Sequence, residues 1–208
     1  MSAPVLDITA LTKTYGDRDV VHELSFAVAA GEAVALIGRN GTGKSTVLRC
    51  VVGTEEPTQG EIRLLGREID ERSPATRSAL AVVMDDIDFF PDLSVVEHLD
   101  LFAAAHGVRD AEALVDDVLH EVGLINQSGQ LPGTLSSGQK HRLGLASAFV
   151  RPRQLLILDE PEQRLDTQGV DWLKERLARE KQDGLAVLFA SHEPALVEAV
   201  ADRVVSLD

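Results

Sequence analysis

The sequence has a single cysteine, Cys50, so no internal disulfide can form, which suits a reducing compartment. Basic residues are the scarcer charge: 20 Lys and Arg against 34 Asp and Glu leave a formal net charge of -14. Such a surface repels a phosphate backbone, so nucleic acid is excluded as an expected partner. Any anion the protein holds must be held by a local device rather than by its overall field. Long apolar runs are also missing, and none approaches the ~20 residues needed to span a bilayer. The opening stretch "MSAPVLDITA" lacks a basic segment followed by an apolar one, so it does not read as a secretory signal. Little sequence follows the last polar cluster near His192, and no appended regulatory domain is expected. The expected location is cytoplasmic, and any role at a membrane requires a partner chain.

What remains is ample for a core: 44% hydrophobic residues in a chain of 208. No internal repeat or low-complexity tract stands out. Residues 5–37 read as short strands, and "AVALI" (33–37) is a continuous apolar run ending in glycine, as buried parallel strands do. A helix is expected over 44–52, then a turn leading into another strand. From about 94 to 150 the pattern becomes helical; Ala111, Leu114, Val115, Val118, Leu119 and Val122 keep the spacing of one helix face. Strand and helix alternation returns after Pro152, with apolar runs at 155–158 and 185–190 around a helical stretch near 167–182. The pattern predicts an α/β nucleotide-binding core interrupted by a helical insertion.

"GRNGTGKST" fits G-x-x-x-x-G-K-[ST] between the 33–37 strand and the 44–52 helix, the context such a loop requires. Gly38, Arg39, Asn40, Gly41, Thr42 and Gly43 supply backbone N–H groups, and the glycines let the chain curl so that these point at an anion. Lys44 adds a full positive charge at the helix N-terminus against the β- and γ-phosphates. The Ser45 hydroxyl suits Mg²⁺, and Thr46 the α-phosphate.

Two further strands end in polar residues. "LLILDEP" places Asp159 where it can hold Mg²⁺ and Glu160 where it can polarise an attacking water. "LFASHEP" brings His192 to the end of another strand. Open α/β sheets bind ligands at the carboxyl ends of their strands, so these residues are expected to converge. Glu160, His192 and Lys44 form the candidate catalytic set.

With these motifs, "LSSGQ" (135–139) and "EQRLD" in this order, the chain resembles the ATP-binding cassette (ABC) ATPases over nearly its whole length. Ser137 stands where that family's signature usually has glycine. The resemblance implies a P-loop NTPase core, an N-terminal antiparallel β subdomain and an inserted helical subdomain at about 86–150, all in one ABC-type domain. Ser136 and Gln139 also suit a capping box opening a helix at 138–150. The resemblance implies that Ser136, Gly138 and Gln139 hold the γ-phosphate of ATP bound to a second subunit. It further implies a head-to-tail homodimer or heterodimer with two buried ATP molecules, in which Asp166 crosses the interface. Tyr15, the only tyrosine, matches the aromatic that stacks on adenine, with Arg18 or Val20 bracing the same base.

The stretch "LAVVMDDIDFFPDLS" (80–94) carries a departure. Aligned on "FFPDLS", Asp85 stands where the family normally has a glutamine that meets Mg²⁺ and the attacking water. A carboxylate is a good hard ligand but adds charge beside the γ-phosphate, so Asp85 is expected to ligate the metal with slower or more Mg²⁺-dependent turnover. Asp86 reads as a turn residue. Phe89 and Phe90 read either as part of a docking groove or as core.

The resemblance implies an ATP-hydrolysing subunit that energises transport through a separate membrane-spanning partner, held at the inner face of the cell membrane by that partner. A soluble, non-transport ABC ATPase is the rival. DNA-repair members carry long coiled coils for which the Lys44–Leu135 stretch has no room, and RNA-binding members do not suit the acidic charge. A nucleotide-gated module without useful hydrolysis is the third reading, opposed by Glu160 and His192. Cargo and direction are not encoded in this chain.

Overall fold

The computed structural model describes residues 3–84 and 88–207. Strands β1 (Leu6–Tyr15), β2 (Arg18–Val28), β4 (Gln59–Leu64) and β5 (Arg67–Glu68) form an antiparallel sheet in the order β2-β1-β4-β5. Strands β3 (Ala33–Ile37), β6 (Leu80–Val83), β7 (Leu155–Asp159), β8 (Ala186–Ala190) and β9 (Arg203–Ser206) form a parallel sheet in the order β6-β7-β8-β3-β9.

The continuous apolar runs have a direct cause: the inner strands β3, β7 and β8 of the parallel sheet are covered on both faces, so both halves of their alternation are buried. Val34, Leu36, Leu155, Ile157, Ala186 and Leu188 face one core, shared with Leu6, Ile8 and Val28 of the antiparallel sheet and with helix α1 (Lys44–Val52). Ala33, Ala35, Leu156, Leu158, Val187 and Phe189 face the other core. Helices α3 (Val95–Ala105), α4 (Ala111–Glu121), α5 (Ser137–Phe149), α6 (Thr167–Gln182) and α7 (Pro194–Val200) contribute to that second core. Truncating one of these large side chains to alanine costs about 2–5 kcal/mol. The expected face of α4 is seen, with Val115, Val118 and Leu119 buried.

The helices end where their local chemistry dictates. Gly53 closes α1 at φ 87, donating its N–H to the carbonyls of Arg49 and Cys50. Ser94 opens α3 through a reciprocal capping box with Glu97. Sequence periodicity misses helix α2 (Pro74–Ala79), α7, the two-residue β5 and edge strand β9. Each is short, and β9 shows mostly exposed side chains, so no periodic apolar signal marks it. No described helix is long and apolar enough to cross a membrane.

Phe89 and Phe90 take different roles. Phe89 packs against the second core, whereas Phe90 is 55% exposed. Both lean on the fully buried His98, with ring centroids 5.6 and 5.8 Å away. His98 Nε2 accepts the Phe90 N–H at 2.8 Å and its Nδ1 lies 2.9 Å from the Ser94 carbonyl. The ring is therefore the neutral Nδ1–H tautomer.

Candidate functional site

Strands β3, β6, β7 and β8 run parallel, so the segments after them emerge at one edge of the sheet. The expected convergence is present. Gly38, Gly41 and Gly43 sit at φ 148, 83 and 100, in the region closed to most L side chains. At Gly43 a Cβ would lie 2.8 Å from the Val20 carbonyl oxygen, so the loop is pressed directly onto β2. Val20 thus bears on the loop through its backbone. Arg39, Asn40 and Gly41 are exposed at the loop's crest, and Thr42 bonds back to the Arg39 carbonyl at 3.0 Å.

Lys44 is 5% exposed, and its ammonium donates to the carbonyls of Gly38 (2.9 Å) and Arg39 (3.2 Å). It also lies 2.9 Å from His192 Nε2, which in turn is 3.0 Å from Glu160 Oε1. One imidazole nitrogen faces both an ammonium donor and a carboxylate acceptor. As an acceptor it serves Lys44, and as a donor it serves Glu160; it cannot do both at once. The three candidate catalytic side chains are therefore linked in a row, with His192 between Lys44 and Glu160.

Glu160 itself has φ 47, an uncommon conformation for a non-glycine residue. The turn after β7 fixes it there: its N–H donates to the Ala190 carbonyl at 2.9 Å, and Gln163 donates to both its backbone oxygen and its carboxylate. A cavity of about 350 Å³ is lined by Ser45, Arg49, Val52, Thr54, Met84, Asp159 and Glu160. Asp159 is 6% exposed, at the buried end of β7. Asp85 and Asp86 lie outside the described residues.

The remaining sequence candidates are placed elsewhere. Ser136 caps α5 reciprocally with Gln139, at 3.2 and 2.9 Å, as expected, although the helix starts at Ser137 rather than at 138. A Cβ on Gly138 would lie 2.9 Å from the Arg164 carbonyl, so the start of α5 abuts the turn that holds Glu160. His141, buried on the same helix, reinforces this by bonding the Pro161 carbonyl at 2.8 Å. Asp166 caps α6 through the Gly169 N–H and pairs with Arg142, both at 2.8 Å, yet its side chain is 65% exposed. None of Ser136, Gly138, Gln139 and Asp166 lines the cavity beside Ser45.

Tyr15 ends β1 and is 46% exposed, an aromatic residue accessible from solvent. Lys13 Nζ lies 5.1 Å from the ring centroid. The phenol donates to Glu55, and this bond above all, followed by partial burial, raises the Tyr15 pKa; the hydroxyl of Thr46, in the phosphate-loop segment, acts in the opposite sense.

Sequence reasoning missed Gln163, His141, Arg142 and Glu55. All are polar residues in unremarkable local contexts, and only long-range contacts reveal what they hold. Glu55 alone carried a faint signal, as an acid in the turn directly after α1.

The family model described as "ABC transporter" matches residues 21–163. The Nod factor export ATP-binding protein I of Rhizobium meliloti (strain 1021) is 37% identical over 207 residues, which is 98% of this chain and 61% of that protein. The chain thus spans about three fifths of that relative's length. The SkfA peptide export ATP-binding protein SkfE of Bacillus subtilis (strain 168) is 35% identical over 203 residues, covering 97% of this chain and 84% of that one. A solved structure described as an ATP binding subunit of an ABC transporter superposes with a TM-score of 0.90 at 31% identity, over 97% of this chain and 85% of its own.

Proposed function

Because this chain belongs to the ABC transporter family, we propose that it binds and hydrolyses ATP to drive a separate membrane-spanning partner. The observation that carries this reading is the Glu160–His192–Lys44 chain, at 3.0 and 2.9 Å, beside a glycine loop at the carboxyl end of a parallel sheet. The loop amides and Lys44 hold the β- and γ-phosphates, with Thr46 at the α-phosphate. Glu160 accepts a proton from the attacking water, and His192 orients that water and the γ-phosphate, its free nitrogen no longer shared with Lys44. Tyr15 stacks on the base.

Ser45 and Asp159 would hold Mg²⁺. They are hard oxygen donors on one cavity, and Mg²⁺ characteristically takes one or two protein ligands and completes its shell with substrate phosphates and water. When bound, the ion supplies charge neutralisation at the phosphates. Asp85 is a further proposed ligand, from sequence alone.

The exposed Ser136 and Asp166 and the half-buried Gly138 and Gln139 are outside the cavity of their own chain, which supports a head-to-tail dimer in which they meet the partner's nucleotide. Both relatives described above are named for export, which supports outward rather than inward transport.

The deciding experiment measures ATP turnover and ATP binding in wild type and Glu160→Gln. Loss of the base lowers turnover by about 10²–10⁴-fold, while binding is retained. Wild-type turnover no faster than that of the variant would overturn the hydrolase assignment in favour of a nucleotide-gated module.

A further inference from the structure

We infer that Glu162, two residues beyond Glu160, is a positioning residue that clamps His192 for hydrolysis; this rests on the hydrolase reading above. Glu162 Oε1 accepts two hydrogen bonds from the segment after β8, one from the Ser191 hydroxyl at 2.6 Å and one from the His192 N–H at 3.2 Å. Ser191 is 2% exposed and completes the clamp by accepting the Glu193 N–H at 3.0 Å. One carboxylate oxygen thereby fixes the backbone of residues 191–193 just where the imidazole departs.

The clamp and the base share a single turn. Glu160 is held by the Ala190 carbonyl and by Gln163, and Glu162 lies between Glu160 and Gln163. The spacing between the Glu160 carboxylate and the His192 ring is therefore set by hydrogen bonds that tie the turn after β7 to the segment after β8, on top of the pairing of those two strands. A charged acceptor makes such bonds roughly twice as strong as a neutral one. Among the described residues, the second oxygen, Oε2, is buried with no hydrogen-bond partner, a cost that a purely structural turn has no reason to retain. A turn acid next to proline carries no such signal in sequence.

The test is a double-mutant cycle on the full chain, read by single-turnover ATP hydrolysis. Glu162→Ala is expected to lower the hydrolysis rate about 10–100-fold, the scale of a displaced catalytic group, with ATP affinity near the wild-type value. Glu162→Gln keeps the accepting oxygen and is expected to restore most of the rate. In a His192→Ala background, Glu162→Ala is expected to cost almost nothing further. An equal loss in both backgrounds would show that Glu162 acts otherwise than through His192.

Should Glu162→Ala fail to fold, Ser191→Ala removes half the clamp, and an undiminished rate there overturns the inference. A second readout needs no turnover. The His192 ring resonance, assigned by its loss in His192→Ala, is expected to shift or broaden in Glu162→Ala and to hold in Glu162→Gln. Absent wild-type hydrolysis would remove the hydrolase reading, and this resonance then decides the clamp alone. An unmoved signal would dispose of it.

Discussion

Replacing Gly43 by alanine separates two costs that the phosphate loop imposes. The first is conformational: Gly43 sits at φ 100, ψ 9, and a left-handed backbone costs an L residue about 1–2 kcal/mol. The second is steric. The new Cβ would lie 2.8 Å from the Val20 carbonyl oxygen and 3.0 Å from both Val20 Cγ1 and Val21 Cγ2. The first of these is backbone of a paired strand and cannot swing aside. Relieving it moves the loop or β2, at a further cost of about 1–2 kcal/mol, comparable to other overpacked sites. Together they come to about 2–4 kcal/mol. Gly41→Ala is the internal control: φ 83 carries the conformational cost, but nothing lies within 4 Å of its Cβ. If the strain falls on the phosphate-binding conformation, titration calorimetry with a non-hydrolysable ATP analogue should show affinity falling about 30–1000-fold in Gly43→Ala. Gly41→Ala should lose only about 5–30-fold, since 1.4 kcal/mol is a factor of ten. If strain falls on the whole fold, the melting temperature drops instead, and more for Gly43→Ala. Equal behaviour of the two variants in both measurements would refute the steric reasoning.

Three further outcomes are expected. Tyr15 is the only tyrosine, so an ultraviolet titration reads it alone; its midpoint should lie above the ordinary value and move back down in Glu55→Gln, because Glu55 accepts its phenolic proton. For Asp202, burial would raise the carboxyl pKa, but bonds from the Ala33 N–H (2.8 Å) and Lys181 (2.9 Å) outweigh it and hold the value below normal. A depressed folded-state carboxyl stabilises the fold above its unfolded pKa of about 3.9, and this is lost as pH falls through the lower folded value. Asp202→Asn should therefore melt earlier than wild type at pH 7, with the gap closing in acid; a gap independent of pH would refute this. Finally, Asp85→Gln should turn over faster, or reach its maximum at lower Mg²⁺, than wild type, and superimposable Mg²⁺ dependences would refute a metal-ligating role.

The phosphate loop was legible because its function constrains consecutive residues: glycines for curvature, lysine for charge, and a helix directly after. The parallel strands were legible for a related reason, since burial on both faces leaves no polar position in "AVALI", "LLIL" or "AVLFA". The capping box of Ser136 and Gln139 likewise lies within one turn. Short elements with little apolar periodicity, such as α2 and β9, were not legible.

Local sequence thus determined which residues are candidates for a phosphate site and which segments must be buried, because both follow from neighbours in the chain. Only the tertiary structure decided that one ring nitrogen of His192 stands between Lys44 and Glu160, and that Glu162 accepts the His192 backbone N–H. Those contacts join residues 30 to 148 positions apart. Their distances depend on how β3, β7 and β8 lie side by side in the sheet, a pairing that no stretch of sequence records.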